Sequence, residues 1–182
     1  MSSMHENHIP PMNFHELAAG RCSIRNFESA RKIPREVLER ILDAGRLAPS
    51  AKNLQPWKFK VISSPGLLEK IYPCYPRDWI RSAPCLLVVT GERSAAWVRS
   101  QDGYNSIETD LTIAMDHLIL AAAYEGVGTC WIAAFDPAML REALQLMPNE
   151  DVFAFTPLGY AAPDYLPVPK SRKSLEEVVE FL

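Results

Sequence analysis

The sequence lacks the features that mark several functional classes. Its four cysteines, Cys22, Cys74, Cys85 and Cys130, stand far apart with no Cys-x-x-Cys pair. Neither a zinc site nor a disulfide framework is signalled, and buried thiols in a reducing compartment are expected. No lysine/arginine block occurs: 19 basic residues stand against 22 acidic ones, for a formal net charge of −3. That balance offers no electrostatic footprint for nucleic acid or for an anionic membrane. The longest apolar stretch, Leu118 to Tyr124, is far too short to span a bilayer. Residues 1–12 contain His5, His8 and a proline pair but no hydrophobic block. They read as a flexible, solvated arm, neither a secretory signal nor a metal site, and a soluble cytoplasmic protein is expected. No Ser/His/Asp or Cys/His arrangement suggests a side-chain nucleophile, since His15 and His117 fall in predicted helices.

The 182 residues suit a single domain, here 13–182, with 161–182 as a C-terminal arm. Asn13 and Glu16 form a capping box that starts a short helix ending near Gly20. Pro34 opens a second helix through Val37, Leu38, Ile41 and Leu42, which Pro49 stops. Trp57 to Ser63 alternates like a strand, and Ser64-Pro65 begins another helix. Prolines make Tyr72 to Pro84 a loop; Cys85 to Val89 reads as a central strand closed by Gly91. The spacing predicts a long helix over Ile107 to Tyr124, apolar on every side from Leu118 onward, which a monomer would struggle to cover. A buried strand over Thr129 to Phe135 follows, then a helix capped by Asp136-Pro137, a core strand from Val152 to Tyr160, and a proline-rich extended stretch from Pro163 to Pro169. A second capping box, Ser174 with Glu177, predicts a terminal helix over Leu175 to Leu182. Strands interleaved with helices, without a Gly-x-Gly-x-x-Gly after the first strand, point to an α+β sandwich rather than a dinucleotide-binding doubly wound fold.

Two segments carry candidate chemistry. Arg21-Cys22-Ser23-Ile24-Arg25-Asn26-Phe27 places two guanidiniums and a hydroxyl at alternating positions, which in an extended chain point the same way. That set suits a phosphate monoester, because guanidinium forks donate charged bidentate hydrogen bonds and serine adds a neutral one. The same residues would also serve as two surface arginines beside a turn serine. Ala48 to Trp57 is a proline-bounded loop whose Ser50, Asn53 and Gln55 donate and accept, as the polar edge of a flavin requires. It would equally serve as a plain helix-to-strand connection.

Five landmarks occur in the order found in FMN-dependent nitroreductases: Arg-x-Ser-x-Arg-x-Phe at 21–27, Ala-Pro-Ser-Ala-Lys-Asn-Leu-Gln-Pro-Trp at 48–57, Gly126 to Ile132, Leu158-Gly159-Tyr160 and Lys170-Ser171-Arg172. Over residues 14–182 the chain resembles that family. The resemblance implies an α+β fold with a mostly antiparallel sheet flanked by helices, forming an intertwined homodimer that holds FMN between its subunits. It assigns Arg21, Cys22, Ser23 and Arg25, with Lys170 and Arg172, to the phosphate and ribityl end. Pro49, Ser50, Ala51 and Asn53 match the loop that reaches the flavin from the partner, and Ile132, Ala133 and Ala134 match the strand end against the other ring face. Many relatives carry glutamate and glycine where this chain has Ala133 and Ala134. No lysine matches the one many relatives place against the flavin pyrimidine, which leaves Arg77 and Arg81 as substitutes. The implied activity is ping-pong transfer from NADH or NADPH through FMN to a nitroaromatic, quinone or similar small acceptor. Flavin reductase, ene reductase or dehydrogenase chemistry on the same fold, and a non-catalytic flavin-binding or storage module, are the alternatives.

Overall fold

In a computed structural model describing residues 13–182, helix α1 (Phe14–Gly20) starts at the expected capping box. The Asn13 side-chain oxygen accepts the Glu16 N–H at 2.9 Å, and the Glu16 carboxylate accepts the Asn13 N–H at 3.0 Å. The residues assigned to the flexible arm, with His5 and His8, lie outside the described residues. There follow α2 (Arg35–Arg46), β1 (Trp57–Ile62), α3 (Pro65–Ile71), β2 (Cys85–Glu92), α4 (Ile107–Tyr124), β3 (Gly128–Thr129), α5 (Pro137–Leu144) and β4 (Glu150–Gly159). Helix α5 begins as the Asp136-Pro137 pair dictates, with the Asp136 carboxylate accepting the N–H groups of Ala138 and Met139.

The four strands form one antiparallel sheet in the order β1-β2-β4-β3. Alternation along β2 divides the core. Cys85, Leu87 and Val89 face α2 and α4, packing on Ile41, Leu111, Met115 and Leu118. Leu86 and Val88 face α3 and α5, packing on Leu68, Ile71, Leu140 and Phe155. With helices on both faces, a continuous apolar strand is the stable solution, which explains the Cys85 to Val89 run. The expected α+β sandwich is therefore present. Within one chain, α4 buries the side carrying Ile107, Leu111, Met115 and Leu118, while Leu120 and Ala121 are only half-buried and Tyr124 is exposed. No described helix is long and apolar enough to cross a membrane.

Four expectations need correction. Thr129 to Phe135 is not one strand: β3 stops at Thr129 and pairing resumes only at Ile132 opposite Phe155. Between them Pro157 on β4 has no N–H to give, and the Thr156 hydroxyl accepts the Cys130 N–H at 3.0 Å instead. The terminal helix over Leu175 to Leu182 is absent. Ser174 N–H does bond the Glu177 carboxylate at 2.7 Å, yet the chain makes only a turn. Leu175, Val178, Phe181 and Leu182 are all exposed, and so short a helix does not persist without a surface to bury against. Gly91 does not close β2, which continues to Glu92 because Gly91 still pairs with Trp57. Tyr72 to Pro84 is more ordered than a plain loop, containing single turns at Tyr72–Cys74 and Asp78–Ser82 whose Cys74 and Ile80 enter the core.

Glu150, at the start of β4, is the buried acid of the sheet. Its carboxylate takes the Lys60 ammonium at 2.8 Å and the Thr90 hydroxyl at 2.5 Å. Burial pushes its pKa up, but the hydrogen bonds from Lys60 and Thr90 and the charges of Lys60 and Lys58 outweigh that, so the carboxyl titrates below its ordinary value. A depressed folded pKa contributes stability that is fully present above the unfolded carboxyl range and is lost as pH falls through the folded pKa. Glu150→Gln is expected to cost about 2 kcal/mol near pH 7 by breaking a charge-assisted pair. Urea unfolding from pH 7 down to pH 3 should show the gap between the two proteins narrowing below about pH 4.3, where the unfolded carboxyl takes up its proton. A gap that stays constant with pH would remove this role from Glu150.

Candidate functional site

Beyond α1 the chain lies along the open edge of β3. Ser23 bridges Thr129 in parallel, and the Ile24 N–H donates to the Thr129 carbonyl at 2.7 Å. Ile24 and Phe27 turn into the core with Cys22 packed beside them, whereas Arg21 and Ser23 are half-buried and Arg25 is exposed. Arg21, Cys22 and Ser23 are equally half-buried, and the cleft beside them takes Arg21, Cys22 and Ile24 but not Ser23 or Arg25, so a single face shared by 21, 23 and 25 is not what burial shows. So close an approach needs a strand without side chains: a Cβ on Gly128 would sit 2.7 Å from Ile24 Cγ1, and one on Gly159, its cross-strand partner, 2.9 Å from Phe27. Overpacking of that kind costs about 1–3 kcal/mol.

The C-terminal arm returns to this segment. Phe27 bridges Ala161, the Tyr165 hydroxyl donates to the Ser23 carbonyl at 2.7 Å, and the Lys170 ammonium donates to the Ala19 carbonyl. Lys170 is thereby brought beside the Arg21 to Arg25 segment from the far end of the chain. Arg172 is exposed, and among the described residues its guanidinium donates to the neighbouring Ser171 carbonyl at 2.8 Å. Among the described residues, Arg21, Arg25, Lys170 and Arg172 form no ion pair, whereas Arg31, Arg35, Arg40, Arg46, Arg81, Arg93 and Arg99 all do. The chemistry of this donor set, several uncompensated cations and a serine hydroxyl, fits a phosphate dianion. A cleft of about 260 Å³ opens beside it, lined by Leu17, Arg21, Cys22, Ala123, Gly126 and Thr129 among others.

The second candidate segment has a different support. Lys52, Asn53 and Gln55 all adopt left-handed backbone, with φ of 51°, 56° and 50°, a conformation that costs non-glycine residues on the order of 1–3 kcal/mol each. Ser50 Oγ accepts the Gln55 N–H at 2.9 Å, and the Ala51 N–H donates to the Asp110 carboxylate at 2.8 Å. Pro49 and Asn53 are exposed; Ser50 and Ala51 are half-buried. Sequence reasoning missed Asp110. The available signal was an acid three residues after Ile107, on the buried stripe of α4. Asp110 and Ala123 are separated by 13 helical residues, so this loop and the Arg21 cleft lie about 20 Å apart along α4.

Ile132 is buried and paired with Phe155, and Ala133 and Ala134 emerge from it exposed. They follow Thr129 by four and five positions along an irregular stretch of chain. Arg81 is committed elsewhere: it grips Glu69 at 2.9 and 3.1 Å and lies 4.5 Å over the Tyr72 ring. Arg77 is exposed and forms no ion pair among the described residues. His117 Nδ1 lies 2.9 Å from the Ile113 carbonyl within α4. No group of three metal-ligating side chains gathers among the described residues.

The nitroreductase family profile matches residues 18–75 and 69–160 of this chain. A solved nitroreductase family protein from Clostridium difficile 630 is 32% identical and superposes with a TM-score of 0.85, covering 93% of this chain and 98% of its own. A Thermus thermophilus protein named NADH dehydrogenase is 27% identical, covering 94% of this chain and 97% of its own. A solved FMN-dependent nitroreductase from Clostridium difficile R20291 is 24% identical with a TM-score of 0.76, covering 91% of this chain and 96% of its own, and bears on the fold alone.

The four thiols differ in environment. Cys74, Cys85 and Cys130 are buried and Cys22 is half-buried at the cleft. Burial, with a smaller push from Asp136, raises Cys74 to about 11; burial, against a backbone hydrogen bond at Ile62, raises Cys85 to about 12. Titration of the folded protein with an aromatic disulfide at pH 8 should modify Cys22 first, and Cys22→Ser should abolish that phase. Three equally fast thiols in the Cys22→Ser protein would contradict this placement.

Proposed function

Because the chain belongs to the nitroreductase family, we propose that it is an FMN-dependent oxidoreductase that passes reducing equivalents from NADH or NADPH to a small acceptor such as a nitroaromatic or quinone, working as a homodimer. The observation that carries this reading is the cation set at the β3 edge. Tyr165 and Lys170 bond the carbonyls of Ser23 and Ala19, so two basic segments from opposite ends of the chain meet. Asp164 of the arm takes the Asn26 amide at 3.2 Å, and among the described residues no ion pair compensates Arg21, Arg25, Lys170 or Arg172. Like charges gathered this way repel unless an anion joins them.

In this reading Arg21, Ser23 and Arg25, with the Cys22 segment, Lys170 and Arg172, hold the phosphate and ribityl end. Ile132, Ala133 and Ala134 lie against one ring face, and with two alanines only backbone donors serve there. Pro49, Ser50, Ala51 and Asn53 cover the other face. Bound at this place, FMN supplies the redox chemistry, accepting reducing equivalents from the donor and releasing them to the acceptor. The chain's own contribution is position and electrostatics: cations fix the phosphate, N–H groups face the electron-rich ring edge, and apolar walls exclude water. Donor and acceptor occupy the same place beside the flavin in turn, the first leaving before the second enters, which gives ping-pong kinetics.

Two observations support a dimer. The loop at 49–53 and the Arg21 cleft are about 20 Å apart in one chain, so a second copy is the simplest source of the loop for each cofactor. Exposed Leu47, Leu54, Tyr124, Val178 and Phe181 also lack cover. A storage module is the second reading, favoured by the shortness of the chain and by Ala133 and Ala134, which offer no carboxylate at the ring face.

The purified protein should show a flavin spectrum, and NADH or NADPH should bleach it anaerobically; persistence of the oxidised spectrum with both donors favours storage. Replacing Arg21 and Arg172 together with alanine should weaken FMN binding roughly 100-fold or more, since two charged hydrogen-bonding anchors go while the core is untouched. Stoichiometric FMN retained through gel filtration of that variant would refute the phosphate assignment.

A further inference from the structure

Residue 110 lies inside the first turns of α4, on the side that packs against the sheet, and is 1% exposed. Each of its carboxylate oxygens has one protein donor. One takes the Ala51 N–H at 2.8 Å; the other takes the Ser106 hydroxyl at 2.7 Å. Ser106 occupies the N-cap of α4 but makes no capping bond, and Asn105 accepts the Ile107 N–H at 3.0 Å in its place. A serine at an N-cap ordinarily accepts from the helix. Here it is diverted to donate, which fixes the rotamer of Asp110.

The segment that Asp110 grips is the one with three left-handed non-glycine residues, Lys52, Asn53 and Gln55. Such backbone persists only where its surroundings over-determine it. Ser50 Oγ ties the loop internally through the Gln55 N–H, and the Gln55 amide donates to the Asn53 carbonyl at 3.2 Å. Asp110 is the tie that joins this closed loop to a helix. The loop leaves Asn53 exposed and its side chain outside these bonds.

We infer that Asp110 is the positioning residue of the flavin-facing loop: by holding Ala51 to α4 it keeps Ser50 and Asn53 in the conformation in which they meet the cofactor. This rests on the assignment of that loop to FMN. Ser106 is its accessory, orienting the carboxylate, and neither residue touches the flavin. A loop tied to α4 in this way leaves less for FMN to order on binding.

The test compares Asp110→Leu, Asp110→Asn, Ser106→Ala and Asn53→Ala in the full-length protein, reading FMN dissociation by flavin fluorescence and the flavin midpoint potential. Asp110→Leu should loosen FMN about tenfold and shift the potential, because the loop relaxes when a charged hydrogen bond is lost. Asp110→Asn keeps an acceptor for the Ala51 N–H and should restore affinity to within about threefold of the parent. If Asp110→Leu does not fold, Ser106→Ala decides: looser FMN with a displaced potential and an unchanged Tm supports the inference, whereas parental affinity and potential overturn it. Weakened binding in Asn53→Ala with parental binding in Asp110→Leu also overturns it while leaving the loop at the cofactor. Parental affinity in Asn53→Ala removes the loop from the cofactor, and the inference falls with that assignment.

Discussion

The close seating of the Arg21 to Phe27 segment on the sheet edge is the constraint from which the candidate site follows. It depends on two paired glycines, Gly128 and Gly159, where side chains would strike Ile24, Phe27 and Pro84. With that contact made, Ile24 and Phe27 are committed to the core and the intervening polar residues are turned out. The Ser23 carbonyl is then held where Tyr165 reaches it, and the arm is drawn along until Lys170 meets Ala19. A modest backbone feature thus gathers basic side chains that are remote in sequence.

The layered core explains why the edge is open. Helices α2 and α4 cover one face of the sheet, and α3 and α5 the other. β3 is short because Pro157 and Thr156 interrupt its ladder. The interruption lets the chain turn outward after Ile132, exposing Ala133 and Ala134 beside the sheet. The disruption that shortens the strand therefore opens the place where the proposed ring would lie.

A single chain leaves its apolar surface unfinished. Among the described residues, Leu175, Val178, Phe181 and Leu182 of the C-terminal stretch and Tyr124 at the end of α4 stay exposed, and Leu120 and Ala121 are only half-buried. The strained loop at 50–55 stands at the other end of α4 from the cationic cleft. A proposed twofold assembly would answer both facts, burying the apolar surface and joining loop to cleft.

Most elements were legible from residue order alone, because local chemistry fixes them: the Asn13 and Glu16 capping box, the Asp136-Pro137 start, and the apolar Cys85 to Val89 run. Tertiary contacts decided the rest. Ser174 and Glu177 signal a helix, but without a surface for Leu175 and Val178 only a turn forms. Thr129 to Phe135 has strand composition, yet its partner strand carries a proline where the ladder needed an N–H. Asp110 is one acid in a helix until folding sets it against Ala51, and Lys170 is a distant lysine until the arm returns. Local propensity extends over a few residues; which buried donor meets which acceptor depends on packing between segments far apart in the chain.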